Sequence, residues 1–191
     1  SMKNIVAKAT VEENFPKEFA IYDLNEFLAS LSIFKSPVLE FEEQYLTIKE
    51  EDQPHKKLTY FYSDPSVVQS PTKTITMPSE EVKFHLDMNK LLEMKRAAGV
   101  IGSPDMVLQK SSGNSSLLVK DKKNDTANNY SSDISTDGDG EYKFFFKVEN
   151  LKLFDGDYDV KISSKNISHF KNDKSNIEYW IALEPESTYS N

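Results

Sequence analysis

Three histidines are the first candidates for acid–base or metal chemistry, and their spacing argues against both. His55 lies in a charged stretch, His85 in an alternating run, and His169 beside Ser168. None has the His-x-x-x-His separation that sets two imidazoles on one helical face. The stretch from Asp133 to Asp137 and Gly138 opens like a calcium loop. Its twelfth position, however, is Phe144, where a bidentate Glu is required, so a hairpin turn is the better account. The neighbouring acids Glu42 and Glu43, and Glu50 with Glu51 and Asp52, alternate across a strand, and this expectation leaves them as solvated strand ends. The absence of cysteine removes disulfides, thiolate zinc sites and thiol nucleophiles. Six glycines supply no phosphate-cradling motif. The residues thus predict no enzyme, no cofactor and no metal.

The elements that carry these residues fall into three similar units, each an apolar strand, a short helix and further alternating strands. In the first, residues 19–22 read as a strand. Leu24, Phe27, Leu28, Leu31 and Phe34 then follow helical spacing behind a capping box of Asp23 and Glu26. Strands are expected at 38–42, 45–49 and 58–62. In the second, a strand at 82–86 leads to an Asp87-capped helix whose buried stripe is Met88, Leu91 and Leu92, stopped at Gly99 and Gly102. Strands follow near 106–108, 117–119 and 130–136, with a polar turn at 122–129. The third has a strand at 142–146 and a helix of little more than one turn with Val148 and Leu151 inward. Lys147 stands where the other units have a capping Asp. A turn at 155–157 and strands at 158–163, 167–171 and 177–183 complete it.

Residues 63–78 contain three prolines without helical period and read as an extended connector. They divide a partial domain at 1–62 from a larger one at 79–191. Units must pair to bury a core, and unit one has no partner except a lone strand candidate at 3–11. That imbalance predicts that an N-terminal portion is missing.

The chain of 191 residues carries a net charge of −8 with 38% hydrophobic residues, which suits a folded protein and not an unassisted nucleic-acid coat. The charge is unevenly placed: residues 84–123 hold seven Lys/Arg against four Asp/Glu, whereas residues 36–65 hold three against seven. No apolar run reaches the roughly 18 residues of a membrane span.

Residues 19–28 (FAIYDLNEFL), 63–68 (SDPSVV), 156–158 (GDY) and 180–188 (WIALEPEST), in that order, resemble the DNA polymerase sliding clamps of T-even-type bacteriophages. The resemblance implies an α+β DNA-clamp fold of repeated β-α-β-β-β units, with antiparallel sheets outside and short helices inside. It implies a homotrimeric ring, when complete, that encircles duplex DNA without sequence preference and tethers the phage polymerase and other replication or late-transcription partners. It implies as well a separate clamp loader that supplies the ATP chemistry, and the cytoplasm of the infected bacterium as the setting. Carried over by position, Lys35, Lys90, Lys95, Arg96 and Lys152 face DNA. Val67, Val68, Ile75, Trp180, Leu183 and Pro185 form a pocket for C-terminal peptides of partners. Tyr60, Tyr62, Tyr130 and Ile134 lie at the edges that meet between subunits. The alternative reading is a non-enzymatic, β-rich phage structural or assembly protein; an unrecognised small hydrolase ranks below it.

Overall fold

The computed structural model describes residues 4–68, 71 and 74–190. They gather into two compact units, Glu12–Lys73 and Ser1–Val11 with Thr74–Asn191. Among the described residues no helix is long and apolar enough to cross a membrane.

The smaller unit packs one helix on three strands. Helix α1 (Leu24–Ser32) begins where Asp23 accepts from the amides of Asn25 and Glu26 at 2.9 and 3.1 Å. This satisfies two of the amides that a helix start leaves unpaired. Strands β2 (Pro37–Phe41), β3 (Tyr45–Glu50) and β4 (Gln53–Phe61) form an antiparallel sheet in that order. Leu46 and Ile48 of the central strand are fully buried and meet Phe27 and Phe34. The expected helical stripe is wider than this small sheet can cover: Phe27 and Phe34 are buried, while Leu24 and Leu28 remain 58% and 43% exposed. The expected strand at 19–22 joins no ladder among the described residues. The Ser63 amide donates to the Ala20 carbonyl, and Phe19 and Ile21 still pack on the core.

Glu50 corrects the reading of its neighbourhood as a solvated acidic end. It is 7% exposed, and its carboxylate accepts the amides of Lys35 at 2.9 Å and Ser36 at 2.7 Å. Those amides follow the end of α1, so Glu50 pins the turn from helix to β2.

In the larger unit, β1 (Ile5–Ala9) is the strand expected at 3–11. It pairs antiparallel with β12 (Ile177–Ala182), not with the smaller unit, so residues 1–11 leave the domain expected at 1–62. Strands β5 (Val82–Leu86), β10 (Tyr158–Ser163) and β11 (Ile167–Asn172) complete a five-stranded sheet, order β1-β12-β11-β10-β5. A second sheet comprises β6 (Asp105–Ser111), β7 (Asn114–Lys120), β8 (Tyr130–Asp133), β9 (Glu141–Lys147) and β13 (Thr188–Ser190). Its order is β13-β9-β6-β7-β8. Alternate residues of both sheets, including Val82, Val160, Ile181, Leu108, Val119 and Phe144, share one core with α2 (Met88–Ile101).

Asp87 caps α2 by accepting the Lys90 amide at 2.8 Å, and Asp157 takes the Met88 amide at 2.9 Å. The helix runs through Gly99 and stops at Gly102, whose φ of 66° suits the left-handed cap. Leu91, Met94 and Ala98 form its buried stripe, while Leu92, expected inside, is 43% exposed. The third helix is a single 3₁₀ turn, Val148–Asn150, with no side-chain cap at Lys147.

The Lys35 and Ser36 amides, opposed by burial and aided by Lys56, hold the Glu50 carboxyl below the usual carboxylate range. A folded value under the unfolded one means stability present above about pH 4.3 and lost as pH falls through the depressed value. Glu50→Gln is therefore expected to lower the thermal midpoint of the smaller unit at pH 7 and to flatten its acid dependence below pH ~5, measured by circular dichroism melts.

Candidate functional site

Helical geometry separates the three cations of α2. At 100° per residue, Lys95 and Arg96 stand about 140° and 240° around the helix from Lys90. Lys90 and Lys95 consequently flank the Leu91–Met94–Ala98 stripe and are partly buried, whereas Arg96 projects opposite it and is exposed. Lys90 pairs with Glu93 at 3.4 Å and hydrogen-bonds the Ser132 hydroxyl, while Tyr130 donates to Glu93 at 2.7 Å. These contacts tie α2 to β8. The Tyr130 hydrogen bond, with help from Ser132 and Lys90, lowers the Glu93 pKa, and the same bond raises that of Tyr130. Burial lowers the Lys95 pKa, partly offset by the Asp155 charge. Lys35, after α1, and Lys152, after the 3₁₀ turn, are exposed. The proposed lining is thus two exposed side chains in the larger unit, Arg96 and Lys152, with Lys95 half-buried and Lys90 engaged internally.

Of the residues expected to form a peptide pocket, Trp180 and Leu183 take opposite sides of their strand's line within the larger unit. On β12, Tyr179 and Ile181 point to the core, and Leu183, two residues further on, is buried with them at 6% exposure. Trp180 takes the other face, opposite Val6 and His169, and stacks on the His169 ring with centroids 4.8 Å apart. His169 also meets Glu178 at 2.9 Å. Pro185 is exposed, Ile75 is half-buried, and Val67 and Val68 belong to the smaller unit, Val67 at 56% exposure.

A charged network fixes Pro185. Lys122, largely buried, donates to Glu184 at 2.7 Å and Glu186 at 3.0 Å. Lys147 donates to the fully buried Asp105 at 2.7 Å and lies 3.8 Å from Glu184. Burial opposes the charge on Lys122, but the two glutamates raise its pKa overall. Glu184 and Ser187 also bond the backbone of Phe145, and β13 then pairs with β9. Local pattern does not reveal these contacts, because the partners lie about 40 to 65 residues away along the chain.

The two expected contact edges are sheet edges: β4 ends the three-stranded sheet and β8 ends the second five-stranded one. Their named side chains mostly turn inward. Tyr60 meets the Phe27 ring at 5.2 Å and Tyr62 the Phe19 ring at 5.5 Å, and burial raises the pKa of both hydroxyls. Ile134 packs on the larger core, while Tyr130 is 40% exposed. Beside each edge lies a helix with outward apolar residues: Leu24 and Leu28 on α1, Leu92 and Val100 on α2. Next to β8, a groove of about 510 Å³ runs between Leu92, Arg96, Val100 and Tyr130. On α1 the excess width of the helical stripe was the signal for Leu24 and Leu28, whereas on α2 Leu92 and Val100 stand either side of Arg96, on the face opposite the buried stripe. Asp137, from the calcium-like stretch, exchanges backbone hydrogen bonds with Lys83 at 2.7 and 2.8 Å.

A family model described as "gp45 sliding clamp, C terminal" matches residues 83–185. The sliding clamp of Vibrio phage KVP40 is 31% identical over 185 residues, which cover 94% of this chain and 82% of that protein. The sliding clamp of Enterobacteria phage T4 is 26% identical over 192 residues, covering 96% and 82%. Among solved structures, the Caulobacter crescentus beta sliding clamp superposes with TM-score 0.68 at 14% identity, over 96% of this chain and 52% of that one. The Helicobacter pylori beta clamp, solved with a DNA ligase peptide, gives 0.61 at 15% identity, over 100% and 55%. The last two establish the clamp fold. None of these relatives is a structural or assembly protein.

Removing Lys147 leaves the Asp105 charge buried without its partner. Lys147→Met is expected to destabilise the larger unit by about 3 kcal/mol in denaturant melts. Adding Asp105→Asn, which keeps an acceptor for the Lys122 amide, should recover much of that loss.

Proposed function

This chain belongs to the gp45 sliding clamp family and is a DNA sliding clamp, and from that premise we propose that it closes head-to-tail with copies of itself into a trimeric ring that tethers the phage DNA polymerase for processive synthesis. The observation that carries the ring is the pair of open strand edges, β4 and β8, each beside a helix with uncovered apolar side chains. An edge from each unit offers unlike surfaces to its neighbour, which is the heterologous geometry that closes a ring. On this reading residues 12–62 belong to an N-terminal clamp domain, 63–78 form the connector, and 79–191 form the C-terminal domain to which β1 crosses.

The ring acts by linkage and not by chemistry, so the chain needs no active site, and a loader supplies the ATP-driven opening in the host cytoplasm. Weak, sequence-independent attraction by Lys35, Lys95, Arg96 and Lys152, with Lys90 behind them, keeps DNA centred while allowing it to slide. Polymerase and other partners dock their C-terminal peptides near the connector. The residues proposed to meet those peptides are Val67 and Val68 in the smaller unit and Ile75 and Pro185 in the larger, where Leu183 lies in the core beneath and Trp180 faces the other side of its sheet.

Two experiments test the reading. Val100→Asp, at a position 78% exposed, should leave the fold intact by circular dichroism and weaken self-association at least roughly tenfold in sedimentation, the cost of about 1.4 kcal/mol. Unchanged assembly sinks the edge assignment. The chain, loaded by its loader, should stay on nicked circular DNA and run off linear DNA. Equal retention on both overturns encirclement.

A further inference from the structure

After the 3₁₀ turn the chain runs from Leu151 to Phe154 with its side chains alternating: Leu151 and Leu153 enter the core, while Lys152 and Phe154 face solvent. Phe154 is 63% exposed. Its backbone is nonetheless held on both sides by the core. Its amide donates to the Tyr179 hydroxyl at 3.1 Å, and its carbonyl accepts from the Tyr158 hydroxyl at 2.7 Å. Both tyrosines are buried, at 5% and 0% exposure. An apolar ring is therefore displayed on a fixed base, with little further ordering needed to use it.

The ring's surroundings are charged. Lys152 shares its side of the chain, Asp155 follows it, and the Asp155 charge reaches Lys95 of α2. A greasy protein surface placed here would bury those charges. A flat ring beside a lysine suits a ligand that is itself a flat ring beside a phosphate.

We infer that Phe154 is a stacking contact for an unpaired DNA base, with Lys152 holding the neighbouring phosphate. The inference rests on the reading of the chain as a DNA clamp and adds to it a site for single strands. Base faces inside a duplex are already stacked on one another, so the contact forms only where strands part, at a primer end or on the template beyond it. Sliding along duplex is unhindered, and the clamp dwells where synthesis resumes.

The test is equilibrium binding of the full chain to a fluorescent oligothymidylate of about 12 nucleotides and to a duplex of equal length. Phe154→Ala should weaken single-strand binding about 5- to 100-fold, the equivalent of one lost stack at 1–3 kcal/mol, and leave duplex binding within about twofold. Phe154→Leu should lose as much, since it keeps apolar bulk without a π face, while Phe154→Trp should bind at least as well as the native chain. Lys152→Ala should reduce the salt slope on single strands by about 0.7. No measurable oligothymidylate binding by the native chain, full binding by Phe154→Ala or Phe154→Leu, or an equal loss on duplex overturns the inference. Should Phe154→Ala fail to fold, Phe154→Leu decides. Retention of the native chain on nicked circles is scored separately: its failure removes the ring reading, while the oligothymidylate series still decides the stacking contact.

Discussion

Alternation along the β-strands governs what this molecule can offer to others. A side chain in a one-sided sheet either enters the core or faces outward, and its neighbour does the opposite. On β12 the odd positions Tyr179 and Ile181 are committed to the core, and Leu183 follows them, which leaves Trp180 to the outer face against His169. On β4 the same rule turns Tyr60 inward on Phe27 and leaves Phe61 67% exposed. After the 3₁₀ turn it separates Leu151 and Leu153 from Lys152 and Phe154. Surfaces available for binding are therefore what remains once burial has been satisfied. They consist of backbone edges, helix flanks and the off-phase residues of strands.

The charges follow a similar division. Several lysines that a count of basic residues would assign to DNA are used inside the protein. Lys90 joins α2 to β8, while Lys122 and Lys147 neutralise Asp105, Glu184 and Glu186. A partly buried pair gives modest net stability but makes its geometry specific, because a lone buried charge is costly. Of the five cations proposed to face DNA, Lys35, Arg96 and Lys152 are exposed, on a chain of net charge −8. Tight electrostatic binding would oppose translocation, since each phosphate contact adds to affinity through released counterions. A sparse positive surface is what a device held by topology requires.

Local signals made much of this architecture legible in the sequence. Asp23 and Asp87 announced both helix starts, Lys147 announced a start without a cap, and the expected strand at 158–163 coincides with β10. Features set by distant pairing were not legible. Strand β1 could have joined any open edge, and its partner β12 lies about 170 residues away. Strand β13 has three residues and exists because β9 offers a ladder. Glu50 resembles its neighbours Glu51 and Asp52 in sequence, and what separates them is that the turn after α1 brings two amides to its carboxylate. For the candidate site, edges and helices were readable as elements, but the direction of individual side chains followed only where phase was counted residue by residue.

The apolar residues that α1 and α2 leave outside their own cores link fold to function most directly. A helix that only needs to cover its own sheet requires a stripe about as wide as that sheet. Leu24 and Leu28 exceed it on α1, while Leu92 and Val100 of α2 stand on the face opposite its buried stripe, beside Arg96. Uncovered apolar residues beside an open strand edge are a hazard in a monomer, because they invite indiscriminate pairing. The same pair of features becomes useful if it meets one complementary surface, since ladder hydrogen bonds then fix register while the apolar flanks supply the affinity. Strand β1 on β12 illustrates the device within this chain: an extended segment completes an edge and sets Val6 opposite Trp180. In the proposed ring the same device would join β4 of the three-stranded sheet to β8 of the five-stranded one.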